Sequence, residues 1–161
     1  MRKQKIIRIA SDPDIATEQI NETVANLDGG GADYLGVIYP DTVMIEYESE
    51  YSYDSSNKFK LLRIASDPDI ATEQINDAIK TLGDVNIQDI YGIYPDTVII
   101  AYYNGVPNYR VKVIRIASDP DIATKQVNEA IADIYGSYEV NNLISNVLYP
   151  DTLLFIYEYD D

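Results

Sequence analysis

The sequence predicts an α+β fold of three tandem βαββ repeats, with about nine strands and three helices, the helices lying on one face of the sheet or sheets. Three observations predict it. The letters RIASDPDIATEQIN stand at 8–21, return unchanged at 63–76, and return again at 115–128 with only Lys125 and Val127 altered. The tetrapeptide YPDT follows each copy, at Tyr39–Thr42, Tyr94–Thr97 and Tyr149–Thr152. Between these markers the hydrophobic pattern changes from strand-like to helix-like in the same order each time. The copies begin 55 and then 52 positions apart, a period at which self-similarity defines the architecture. The repeats are 1–57, 58–109 and 110–161, together one compact domain of ordinary size.

Each repeat opens with a short run rich in branched aliphatic residues, KIIRIA, KLLRIA or KVIRIA, which reads as a strand. SDPD then starts a helix: Asp12 caps it, Pro13 suits the first helical position, and Asp14 favours the positive end of the dipole. Ala16, Ile20, Val24 and Leu27 recur at helical spacing, as do Ala71, Ile75, Ile79 and Leu82, and Ala123, Val127, Ile131 and Ile134. A hairpin follows, with Pro-Asp turning between GVIY and TVMIEY. AYYNGVPNYRVKV reads as a second hairpin that joins one repeat to the next. Length differences fall in connectors such as ESEYSYDSSNKF, where surface loops tolerate them.

The closing strands are apolar on both faces. Val98, Ile100 and Tyr102 alternate with Ile99 and Ala101, and Leu153, Phe155 and Tyr157 alternate with Leu154 and Ile156. Such strands are buried on both sides. Repeat 1 has Glu46 where the others have Ala101 and Ile156. The second face is therefore expected to be covered by another repeat or by another chain, and oligomerisation through it is open. One continuous sheet and three small sheets about a pseudo-threefold axis both satisfy this pattern.

The order K-x-I-x-I, E-x-I-N in the helix, then DIYGIY and a closing VIIAYY resembles small strand-helix-hairpin proteins of sporulating Firmicutes and their phages. The resemblance implies a small bacterial or phage protein and carries over no functional motif.

Composition narrows the chemistry. Twenty-seven acids against 12 bases give a net charge of −15, which repels duplex nucleic acid and anionic membranes. The absence of Cys removes disulfides and thiolate metal sites, and the absence of His removes the usual neutral-pH base. The apolar part of the N-terminal MRKQKIIRIA is too short for a signal peptide, and no run reaches membrane-spanning length, so a cytoplasmic location is the default. Most carboxylates flank helix starts and turns, including Asp41, Asp96 and Asp151 within YPDT, where capping and turn chemistry account for them. The Gly29–Gly31 loop lacks any phosphate-binding pattern, and neither DPD nor the terminal YEYDD has EF-hand spacing. No enzyme, metal or cofactor is expected.

Two features remain. Ten of the 12 bases lie on or just before the first strand of a repeat. Arg8, Arg63 and Arg115, with Lys5, Lys60 and Lys112, are the candidate ligands for an anionic, nucleotide-type small molecule. Their structural alternative is pairing with Glu46, Glu48 and Glu158, or, for the arginines, stacking on the Tyr of YPDT. The second feature is 15 Tyr beside two Phe and no Trp, a composition suited to interfaces. Tyr47, Tyr102 and Tyr157 are candidate partner contacts, alongside Tyr51, Tyr53, Tyr103 and Tyr109 on strands and connectors. Asp14, Thr17, Asn21, Asp69, Thr72, Asn76, Asp121, Thr124 and Asn128 are also candidates, because they repeat on what reads as the solvent side of each helix. Recent duplication explains the near identity; a threefold site is the alternative. The leading expectation is a non-enzymatic acidic protein, of the kind phages and bacteria use as inhibitors, that occupies a protein partner through an acidic, Tyr-rich surface. The second is an anionic-ligand binder.

Overall fold

Aspartate, proline and aspartate begin each of the three described helices for one physical reason. In the computed structural model, which describes residues 1–28, 31–48, 57–94, 96–106 and 108–160, Asp12, Asp67 and Asp119 are the N-caps. Each cap carboxylate accepts from the next two available backbone N–H groups, those of Asp14 and Ile15 in the first copy, at 2.9 and 3.0 Å. The helices are α1 (Pro13–Ala25), α2 (Pro68–Leu82) and α3 (Pro120–Ser137). The strands are β1 (Arg2–Arg8), β2 (Tyr34–Tyr39), β3 (Thr42–Glu48), β4 (Lys58–Arg63), β5 (Val85–Tyr94), β6 (Thr97–Asn104), β7 (Asn108–Arg115), β8 (Glu139–Tyr149) and β9 (Thr152–Asp160). The order is βαββ three times. The connector at 49–56 and most of the Gly29–Gly31 loop, with Tyr51 and Tyr53, lie outside the described residues.

The nine strands form three separate antiparallel sheets of three, ordered β1-β3-β2, β4-β6-β5 and β7-β9-β8. The closing strand of each repeat is central. This corrects the second hairpin: β6 and β7 do not pair. Both edges of β6 are already bonded, by β4 and β5, so the link at 105–107 carries the chain to the next sheet.

Three sheets and three helices then stack in alternation. α1 buries Ala16, Ile20 and Val24 between Leu35, Val43 and Ile45 of its own sheet and Phe59, Leu61, Ile99 and Ala101 of the second. α2 buries Ala71, Ile75 and Ile79 between Val98 and Ile100 of the second sheet and Val111, Val113, Leu154 and Ile156 of the third. α3 lies on the last face, over Phe155 and Tyr157. The two apolar faces of the closing strands are thus explained: one meets the strand's own helix, the other the helix of the preceding repeat. Gly92 belongs to the second joint, where a Cβ would come within 3.1 Å of the Leu148 carbonyl oxygen.

The row does not close on itself. α1 packs on β4 and α2 on β7, but no comparable contact joins α3 to β1. Among the described residues no helix lies over the outer face of the first sheet, with Ile6 and Glu46, so the described elements form an open row. Glu46 pairs with Arg2 at 3.6 Å, not with Arg8, because the register sets Arg8 opposite Thr42.

Candidate functional site

The repeated polar letters of the helices hold one repeat to the next. β4 pairs with β6 along one edge only, and its other edge faces α1. Asn21 Nδ2 donates to the Phe59 carbonyl at 2.8 Å, and the Phe59 N–H returns a bond to Asn21 Oδ1 at 3.0 Å. The Leu61 N–H donates to Thr17 Oγ1 at 2.9 Å. The second joint repeats this. Asn76 bonds both backbone groups of Val111, at 3.1 and 2.8 Å, and Thr72 Oγ1 accepts from the Val113 N–H at 2.9 Å. Thr17, Asn21, Thr72 and Asn76 are therefore half-buried joint residues, a correction to their reading as solvent-side partner contacts. An open strand edge must be occupied or protected, and an amide that both donates and accepts can occupy it. Thr124 and Asn128 hold the same places on α3, are exposed, and meet no strand among the described residues.

The glutamines complete each unit. Gln19, Gln74 and Gln126 accept from the N–H of Ala10, Ala65 and Ala117, each at 2.7 Å, and so fasten the incoming strand to the helix. Tyr91 donates from its hydroxyl to the Leu35 carbonyl at 2.7 Å across the first joint, and burial pushes its pKa well above the usual phenol range.

The three arginines do not converge. Arg8, Arg63 and Arg115 face Asp41, Asp96 and Asp151 of their own repeats at 3.6, 3.5 and 3.6 Å. Arg63 and Arg115 also donate to the Ser11 and Ser66 carbonyls of the preceding repeat, at 3.3 and 2.8 Å. The repeated acidic partner is thus the turn aspartate, which pairs with the arginine as well as making the turn. The turn reaches this place because the carbonyls of Asp41, Asp96 and Asp151 accept from the N–H of Ile9, Ile64 and Ile116, at 2.7, 2.6 and 2.7 Å. Lys60 reaches Asp14 at 3.4 Å across the first joint, whereas Lys112 reaches Asp133 of its own repeat at 3.4 Å. Lys5 borders a shallow hollow with Glu22, Asp28 and Tyr47.

Because these arginine pairs are more than half exposed, each contributes about 0–1 kcal/mol. Arg63→Gln and Arg115→Gln are expected to lower stability by about 1 kcal/mol or less each, and Arg8→Gln by less still, as it has no carbonyl partner from a preceding repeat. Urea denaturation of the three single variants checks the order; an unfolded Arg8→Gln chain would contradict it.

The tyrosines separate into two groups. Tyr157 is buried, which corrects its place among the partner contacts. It packs with Tyr138 and Tyr159, ring centroids 5.5 and 6.3 Å away, and burial raises its pKa to about 12. Arg110 lies over the Tyr138 ring at 5.4 Å, so the stacked arginine is Arg110. Tyr47 and Tyr102 are half-buried, and burial raises the Tyr102 pKa. Tyr39, in contrast, is 65% exposed beside the first turn.

One edge of the stack gathers the helix starts and the YPDT turns. Each repeat places three aspartates there, Asp12, Asp14 and Asp41 in the first, against one arginine. Ile15, Ile70 and Ile122, next to the helix-start aspartates, are 51, 50 and 54% exposed. Two joint clefts open on this edge. One, of about 200 Å³, is lined by Ser11, Pro13, Pro40, Arg63 and Asp96; the other, of about 320 Å³, by Ser66, Pro68, Arg115, Pro150 and Asp151. Among the described residues no group of three or more carboxylates is placed to hold a metal, and no helix is long and apolar enough to cross a membrane. Compared with protein families, curated proteins and solved structures, the chain matches none.

Proposed function

We propose that this is a non-enzymatic binding protein that occupies a protein partner along its acidic edge. The observation that carries the reading is the row of three equivalent, half-exposed isoleucines, each beside helix-start aspartates. Large aliphatic side chains left exposed at the same place in every repeat gain nothing from the core, and an apolar row rimmed by charge is a form that interaction surfaces take. Stacked repeats bind through such extended surfaces. The partner that fits is basic with apolar contacts between its charges. Tyr39 supplies an aromatic contact at one end. An inhibitor working in the cytoplasm by covering a basic surface, of bacterial or phage origin, is the concrete form of this reading.

The alternative is a binder of small anions through Arg8, Arg63 and Arg115. It is less well supported, because an aspartate within 3.6 Å of each guanidinium competes with any anion. The test compares the wild-type chain with an Ile15→Ser, Ile70→Ser, Ile122→Ser variant as baits in bacterial lysate. The expected result is a discrete captured protein that the variant loses and that weakens with salt, since exposed charges are screened over ~8 Å at physiological ionic strength. Identical capture by both baits would overturn the reading. A rise in melting temperature with a nucleotide, lost in an Arg63→Gln, Arg115→Gln variant, would favour the alternative.

A further inference from the structure

We infer that copies of this chain associate head to tail, the α3 face of one receiving the β1 edge of the next. The joint already occurs twice inside the molecule, so its chemistry is on view. An Asn side chain bonds both backbone groups of one strand residue, a Thr hydroxyl accepts from the N–H two residues on, and an Arg reaches back to a Ser carbonyl. Both halves of a third joint are present at opposite ends and, among the described residues, unused.

On α3, Thr124 donates to the Pro120 carbonyl at 2.7 Å, as Thr17 does to Pro13 and Thr72 to Pro68, so its oxygen faces the same way as the two that accept a strand. Asn128 has neither of its bonds among the described residues. The apolar positions of α3 tell the same story: Ala123, Val127 and Ile131 are only half-buried, whereas Ala16, Ile20 and Val24, and Ala71, Ile75 and Ile79, are buried by the following sheet.

On β1, Gln4 and Ile6 stand where Phe59 and Leu61, and Val111 and Val113, stand in the later first strands. Ile6 is 58% exposed; Leu61 and Val113 are 2 and 3% exposed under a helix. The charges are complementary: β1 carries Arg2, Lys3, Lys5 and Arg8, while α3 carries Asp121, Glu129 and Asp133 against Lys125. Lys5 corresponds to Lys60 and Asp121 to Asp14, a pair that forms in the first joint. Arg8 corresponds to Arg63 and Ser118 to Ser11.

The joint between copies is weaker than those within one, because Gln4 and Glu46 replace apolar residues on the sheet face. Association is therefore reversible and dependent on concentration. A joint of two different surfaces propagates into rings or filaments instead of closing as a symmetric dimer. The inference shares Asp121 and Arg8 with the acidic edge but does not rest on the partner proposed for that edge.

Sedimentation velocity from micromolar to millimolar protein tests it. The average mass is expected to rise with concentration, and to remain that of a monomer for Asn128→Ala with Thr124→Ala, and for Ile6→Lys. These residues are exposed, so neither variant melts below the wild-type chain. Mixed together, the two variants are expected to form one-to-one dimers and stop, because each supplies the end the other lacks. A wild-type chain that is monomeric throughout would overturn the inference, as would association that both variants retain.

Discussion

Residues 1–57 produced alone are expected to show no cooperative melting transition. α1 is a shared element: its buried residues are covered on one side by the first sheet and on the other by Phe59, Leu61, Ile99 and Ala101. Cutting after residue 57 removes all four of these and both anchors of the joint, the bonds of Asn21 to Phe59 and of Thr17 to Leu61. Each fully buried aliphatic side chain contributes about 1.5–3 kcal/mol, so one uncovered flank of α1 accounts for much of the few kcal/mol by which a domain of this size is stable. What remains is one helix on a three-stranded sheet. Circular dichroism against temperature reads the outcome, with 1–109 as the comparison, since that piece retains the complete first joint and is expected to melt cooperatively. A sharp transition from monomeric 1–57 would show that the repeats are independent domains.

Much of this architecture is legible in the letters. The cap, the proline and the helical spacing locate all three helices, and the strands follow from branched runs and a fixed period. The apolar alternation on both faces of Val98–Tyr102 and Leu153–Tyr157 already required a covering layer. What covers it was not legible, because a helix that serves two sheets has the same local pattern as one that serves a single sheet. AYYNGVPNYRVKV has the composition of a hairpin, yet pairing is decided by which edges are free, and β6 has none. Thr17 and Asn21 read as solvent-facing because both are polar on a helix. A signal was present: both types are poor helix formers, and a mid-helix Asn or Thr kept at three equivalent places has a reason to be there. The acidic edge was visible residue by residue, but its assembly depends on the carbonyl of each turn aspartate capturing the N–H that follows the first strand.

Asn76→Ala and Asn128→Ala should have effects of opposite sign, although the two residues hold the same place in their repeats. Val111 is 1% exposed, and its N–H and carbonyl on the α2 side are both satisfied by the Asn76 amide. Alanine leaves both groups without a partner where water has little access, at about 1–3 kcal/mol each. Alanine also recovers about 0.6 kcal/mol of helix propensity, which offsets little of that. The net expectation for Asn76→Ala is a loss of about 1.5–5 kcal/mol. The damage falls between α2 and the third sheet, so the last repeat is expected to melt before the first two. In Asn128→Ala no strand bond among the described residues is lost, and the propensity gain stands alone, about 0.6 kcal/mol of stabilisation. Urea denaturation at low protein concentration, where copies do not meet, measures both. Equal losses in the two variants would mean that Asn128 has a partner inside the chain; no loss in Asn76→Ala would mean that the amide does not hold the joint, and the head-to-tail contact built on the same bond would fall with it.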